Sequence, residues 1–253
     1  KCWRIFVESE YHKSLFQELG HQERIIAAGY PKLDTYREPV NHNNTYWKLD
    51  KDGHPNAKRV IWAPHFSVDE HYGINVSTFP WYYEYFLDLL REHPEIDFLF
   101  RPHPLLFDEL VKRGIMTQVK LDEYLRAFEA LPNTTLDQSG QYIDSFRTSD
   151  LLIADNGSFL AMYMPTKKPV IYTERASSPT CLLNDFGEKV TKHYYRAKNQ
   201  EELDATIKRV LLENDDYLKD KRLHDLKEYI PIPEAGIGNR IRDCILEGFA
   251  LSS

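Results

Sequence analysis

Thr148-Ser-Asp-Leu-Leu-Ile-Ala-Asp-Asn-Gly-Ser-Phe159 reads as a buried strand that turns through small polar residues into a helix. Its apolar run, Leu151 to Ala154, is short and continuous, as in a parallel strand covered on both faces. Asp155, Asn156, Gly157 and Ser158 then supply a turn and the start of a helix. Unpaired backbone N–H groups and the positive end of the helix dipole face whatever binds there. That shape suits a phosphate. The same residues also read as a simple helix cap by Asp155 or Asn156.

Working outward, strand-like and helix-like segments alternate, which is the pattern of βα units and a parallel sheet. Strands are expected at residues 59–66, 97–102, 134–136, 151–155, 169–173 and 193–197, making one open, Rossmann-like α/β sheet with helices on both faces. Helices are expected between them, at 81–93, 105–113, 121–131, 142–147, 158–164 and 201–214, with two more at 216–229 and 236–251. Pro31 to Lys58 is polar, rich in Asn, Pro and Lys, and weakly periodic, so it reads as a linker. The ring-rich run Phe79 to Phe86 reads first as a helix burying one face, and second as a platform for a base or sugar.

In open parallel sheets, ligands bind outside the C-terminal ends of the strands. Three segments place polar residues there: Ala63-Pro-His-Phe-Ser-Val-Asp69, Arg101-Pro-His-Pro104 and Asp155-Asn-Gly-Ser158. Arg101 and His103 are two apart, so on an extended chain both point the same way. Arg101 offers a planar fork suited to phosphate, and His103 a donor to a bridging oxygen. The alternatives are a structural ion pair for Arg101 and a turn cap for His103. His65 and Ser67 form a second candidate anion loop. Ser158 has no nearby base in sequence and no GxSxG elbow, so it reads as a phosphate hydrogen-bonder, not a nucleophile. His12 and His21 stand in the opening segment without a defined role.

Composition narrows the function classes. The chain has 253 residues, 42% hydrophobic and 13% aromatic, enough for one large core or one domain with a piece of another. A net charge of −7 argues against a nucleic-acid binder. Three cysteines, Cys2, Cys181 and Cys244, form no CxxC pair and suggest neither a disulfide framework nor a zinc cluster. No HExxH, GxGxxG or GxxxxGK[ST] motif occurs, so neither metal nor cofactor is expected. No apolar run approaches the roughly 18 residues of a membrane span. A cytoplasmic protein is expected, with peripheral attachment at the inner face of the cell membrane left open. Because structured sequence begins at Lys1, an N-terminal portion is expected to precede it.

Four blocks in order carry a resemblance: Gly29-Tyr-Pro-Lys-Leu-Asp34, Val60-Ile-Trp-Ala-Pro-His65, Arg101-Pro-His-Pro104 and Ser149 through Ser158. With Lys168-Pro-Val-Ile-Tyr172 and Gly236-Ile-Gly-Asn-Arg-Ile241, they resemble the CDP-glycerol glycerophosphotransferase family of teichoic acid and capsule polymerases. The resemblance spans about residues 9 to 248. It implies the C-terminal, donor-binding half of a GT-B architecture: residues 1–34 ending the acceptor-side domain and crossing over, 35–58 a linker, and 59–253 the donor domain. It places Arg101 and His103 as catalytic groups at a donor diphosphate, with His65, Ser67, Asp155, Asn156, Gly157 and Ser158 binding substrate. There are departures. Ser67 stands where the family often has an arginine, and Asp155-Asn-Gly-Ser158 keeps only the last hydroxyl of the family's Asp-Tyr-Ser-Ser turn. A family base, a histidine of the N-terminal domain, has no match in this chain.

The function so implied is transfer of a polyol phosphate, glycerol phosphate first, from a CDP-activated donor to a hydroxyl of a cell-surface polysaccharide or lipid-linked acceptor, releasing CMP. A GT-B glycosyltransferase using a nucleotide sugar, and a nucleotide-binding module without catalysis, are the competing readings.

Overall fold

The computed structural model describes residues 3–20, 24–41, 46–51, 54, 56–155, 157–175, 183–232, 234 and 236–250. Asn156, His21, Cys2 and Cys181 lie outside the described residues. The chain divides into two compact units: Val40–Lys219, and Lys1–Pro39 together with Asp220–Ser253.

In chain order, the elements before the main sheet are β1 (Ile5–Val7), α1 (Glu10–Glu18), β2 (Ile25–Ala27), a 3₁₀ turn (Pro31–Arg37) and α2 (Lys48–Lys51). The main sheet follows: β3 (Lys58–Ala63), α3 (Phe79–Glu92), β4 (Ile96–Phe100), α4 (Leu106–Lys112), α5 (Gln118–Glu129), β5 (Thr134–Leu136), α6 (Ile143–Thr148), β6 (Leu151–Ala154), α7 (Ser158–Tyr163), β7 (Val170–Thr173), α8 (Asp185–Thr191), β8 (Tyr195–Ala197) and α9 (Gln200–Ile207). The chain closes with α10 (Lys219–Tyr229) and α11 (Ile237–Ala250).

The six expected strands form one wholly parallel sheet in the order β5-β4-β3-β6-β7-β8. The chain therefore winds outward in one direction from β3 and in the other from β6. Such an order opens a crevice where the direction reverses, at the C-terminal ends of β3 and β6. Both strands are apolar because both faces are covered: Val60, Ile61, Trp62 and Leu151 to Ala154 are all buried.

One face packs on an aromatic cluster. Trp62 stacks on Phe79 with centroids 5.4 Å apart and on Phe100 at 4.8 Å, and Phe86, Phe98, Tyr124 and Phe128 complete it. The ring-rich helix α3 is thus a core element, because Phe79, Tyr82, Tyr83 and Phe86 fall on its buried face.

The stretch expected as a linker is instead tied down. Leu33 is buried in the 3₁₀ turn, Trp47 just before α2, and Leu49 within it. The buried carboxylate of Asp97 accepts the N–H groups of Lys48 at 3.2 Å and Leu49 at 2.7 Å, and Trp47 donates to Thr148 Oγ1 at 2.8 Å. Weak local periodicity missed these segments because distant side chains hold them. Helix α8 was not expected at all; Asn184 caps it by accepting the Gly187 N–H.

The other unit shows why its motifs recur together. Asp34 accepts the N–H groups of Ile237 and Gly238, each at 2.7 Å, which caps α11. Gly29 has φ +106°, and a Cβ there would lie 2.7 Å from Ile237, so the position needs glycine. The Gly29-to-Asp34 block and the Gly236-to-Arg240 block are two halves of one clasp, which groups the last two helices with the first 39 residues instead of with the expected 59–253 domain.

Candidate functional site

A cleft of about 450 Å³ lies outside the C-terminal ends of β3, β4 and β6. His65, Arg101, His103, Gly157 and Ser158 line it, as do residues 137–140, Tyr142 and Phe159. The backbone continues the sheet's ladder past the strand ends: the Arg101 N–H donates to Trp62 O at 2.8 Å, and the His103 N–H to Pro64 O at 3.0 Å. The expected two-residue spacing thus delivers both side chains to the cleft.

The two histidines come together, with ring centroids 5.5 Å apart. Each is held at Nδ1. The Ser67 N–H donates to His65 Nδ1 at 3.2 Å, and Ser67 Oγ lies 2.9 Å from the same atom. The Leu105 N–H donates to His103 Nδ1 at 3.2 Å. A nitrogen that accepts cannot also carry the proton, so both neutral rings bear it on Nε2. Burial, with His103 alongside, lowers the His65 pKa to about 4, and burial lowers that of His103. These are neutral donors rather than cations.

Arg101 takes the ion-pair role. It is buried, its guanidinium bonds Asp137 and the Ser139 carbonyl, and it lies over the Tyr142 and Phe159 rings. Asp137, also buried, accepts the Ser139 N–H at 2.8 Å with its other oxygen. Arg101 therefore braces the loop after β5 that walls the cleft. Among the described residues lining the cleft it is the only full cation, and its charge is matched.

Two expected substrate contacts stand behind the cleft. Ser67 is buried, and its hydroxyl serves His65 and the Val76 N–H. Asp155 is buried with both oxygens bonded to protein, and burial raises its pKa to about 7. Neither lines the cleft. Gly157, at φ +93°, adopts a backbone that disfavours other residues and leads into α7. Ser158 is exposed at that helix start, but α7 has six residues, so its dipole is short. Sequence reasoning missed Asp137, Ser139, Tyr142 and Phe159. Only Asp137 carried a signal, one residue beyond a strand end.

An open parallel sheet with a polar cleft at its switch point defines the doubly wound α/β class. The chain belongs to the CDP-glycerol:poly(glycerophosphate) glycerophosphotransferase family, a family of transferases, whose model matches residues 4–247. No curated protein sequence matches it significantly. Among solved structures it is similar to a UDP-N-acetylglucosamine 2-epimerase (14% identity, TM-score 0.64), covering 99% of this chain and 58% of that one. It is also similar to the S. aureus MnaA–UDP complex (15%, 0.63, 99% and 62%) and to the wall teichoic acid polymerase TagF (16%, 0.59, 99% and 59%). At these identities the likeness shows the fold, the α/β architecture of GT-B enzymes, and the chain spans about three fifths of each. No described helix is long and apolar enough to cross a membrane.

Proposed function

We propose that the cleft binds the diphosphate of a CDP-activated polyol, glycerol first, and that the whole protein transfers the polyol phosphate to a hydroxyl of a surface-polymer acceptor with release of CMP. The observation that carries this reading is the pair of histidines fixed as Nε2–H donors at the switch point of a family member's sheet. In the transfer, the acceptor oxygen bonds to the phosphorus next to the polyol, and the bond from that phosphorus to the CMP oxygen breaks. The acceptor's proton goes to a base outside the residues named here, since each histidine already carries its proton on Nε2. His103 and His65, with the Ser158 hydroxyl, donate to the oxygens where charge develops on the leaving CMP. Fixed donors need no reorganisation as charge develops, which is what makes them effective. Arg101 acts one step back, through Asp137, by holding the cleft wall.

The test is CMP release from CDP-glycerol, with acceptor, by the full-length protein. Removal of one such donor typically costs about 2.7 to 4 kcal/mol, so His103→Ala should lower turnover on the order of a hundredfold. A loss under about threefold would remove His103 from the mechanism. Release of a nucleoside diphosphate from a UDP-sugar, with CDP-glycerol inert, would transfer the reading to a glycosyltransferase. Binding without turnover would indicate a non-catalytic module.

A further inference from the structure

Asp155 directly follows the central strand β6 at the switch point, yet its carboxyl faces protein on every side. Its oxygens serve two different segments. Oδ1 accepts the backbone N–H of His65 at 2.7 Å. Oδ2 accepts the N–H of Thr78 at 2.7 Å and its hydroxyl at 3.1 Å. Thr78 Oγ1 also lies 2.9 Å from Thr173 Oγ1, which ties the end of β7 into the network. One carboxyl therefore joins the chain leaving β3, the start of α3 and the end of β6 directly behind the cleft.

Burying a carboxyl is costly unless its lone pairs are bonded. Holding the start of α3 alone would need only one short polar side chain. A second oxygen committed to the main chain of His65 is what a carboxylate adds, and a short side chain could not reach both. Ser67 completes the arrangement from the other side, through the imidazole Nδ1.

We propose that Asp155 is a positioning residue: it fixes the main chain at His65 so that the ring, held at Nδ1 by Ser67, presents Nε2–H to the cleft. The inference rests on the reading of the cleft as the donor site, but its first test needs no donor. In the full chain, the His65 amide proton is followed by NMR from pH 5.5 to 8.5. A carboxylate is a stronger acceptor than a carboxylic acid, so the resonance should move downfield with a midpoint near 7, the pKa of Asp155. The His103 ring stands 5.5 Å from that of His65, so the titration is repeated in His103→Gln, where the midpoint should persist. The His65 ring stays near 4, His103 lies below its ordinary 6.5, and burial raises Tyr172.

A His65 amide that stays flat through this window and also keeps its shift in Asp155→Ala would overturn the proposal, since a carboxylate that stays ionised holds both N–H bonds unchanged. A second arm compares Asp155→Ala with Thr78→Val, which keeps the Thr78 N–H bond and loses only the hydroxyl contact. Asp155→Ala should move the His65 amide upfield and lower CDP-glycerol affinity no further when combined with His65→Ala. Thr78→Val should leave the His65 signals in place even as it lowers the melting temperature. Equal effects of both variants on His65 would reduce Asp155 to a general stabiliser and sink the inference. Should Asp155→Ala fail to fold, Asp155→Asn, which keeps one acceptor oxygen, takes its place in the comparison. A chain that ignores CDP-glycerol while its His65 amide follows Asp155 would contradict the donor reading and leave the positioning role standing.

Discussion

His65 and His103 owe their chemistry to what occupies Nδ1. Protonating either ring there would break a bond from a backbone N–H, of Ser67 or of Leu105, so both favour the neutral form. Two results follow from this. Binding of CDP-glycerol at pH 8.5, above the pKa of Asp155, should show the same enthalpy in buffers of different ionisation heat, because the rings take up no proton; a slope of enthalpy against ionisation heat would contradict the neutral-donor role. Stability should also depend on His65. Its folded pKa of about 4 lies below the ordinary 6.5, so the stability linked to its neutral ring is present above pH 6.5 and is lost as pH falls toward 4. His65→Gln cannot titrate, and the wild type should therefore lose melting temperature relative to this variant between pH 6.5 and 4.5. At this scale the sequence was partly legible. Residues at strand ends announced the cleft, because strand ends are where such sheets bind. Which of them are free to serve it was hidden: Asp155 and Ser67 turn to the protein, and Arg101, though it lines the cleft, is paired with Asp137, partners that no spacing rule connects.

Elements fared differently according to where their support lies. The six strands and most helices carry their own signal in apolar run length and period, and their positions match expectation within a few residues. Among the segments that were missed, α2, α8 and the turn at Pro31–Arg37 have little periodicity and stand on capping side chains or buried single residues. Asp97, 48 and 49 positions away from the N–H groups it accepts, is such a support. Asp97→Ala leaves those groups without an acceptor and should cost about 1 to 3 kcal/mol, read as a lower urea midpoint with CDP-glycerol affinity unchanged. Asp34→Ala uncaps α11 and should cost about 0.5 to 2 kcal/mol, again by urea denaturation. If it costs nothing, the clasp between the Gly29-to-Asp34 and Gly236-to-Arg240 blocks is not what those motifs maintain.

For the molecule as a whole, the strand order carries more weight than any single residue. Winding in two directions from β3 and β6 places the segments after β3, β4 and β6 around one cleft, and the segment after β5 closes it through the Arg101–Asp137 pair. The fold class was legible because alternating βα segments admit few topologies. The grouping of α10 and α11 with the first 39 residues was not, because it depends on contacts between the two ends of the sequence. The central claim is that this cleft holds a CDP-activated polyol through neutral histidine donors. Calorimetric titration of the chain with CDP-glycerol, CMP and UDP-N-acetylglucosamine, repeated on His103→Ala, tests it most directly. The account predicts saturable CDP-glycerol binding, stronger than to the UDP-sugar and weakened in the variant. Preference for the UDP-sugar, or CDP-glycerol binding that His103→Ala leaves unchanged, would contradict it.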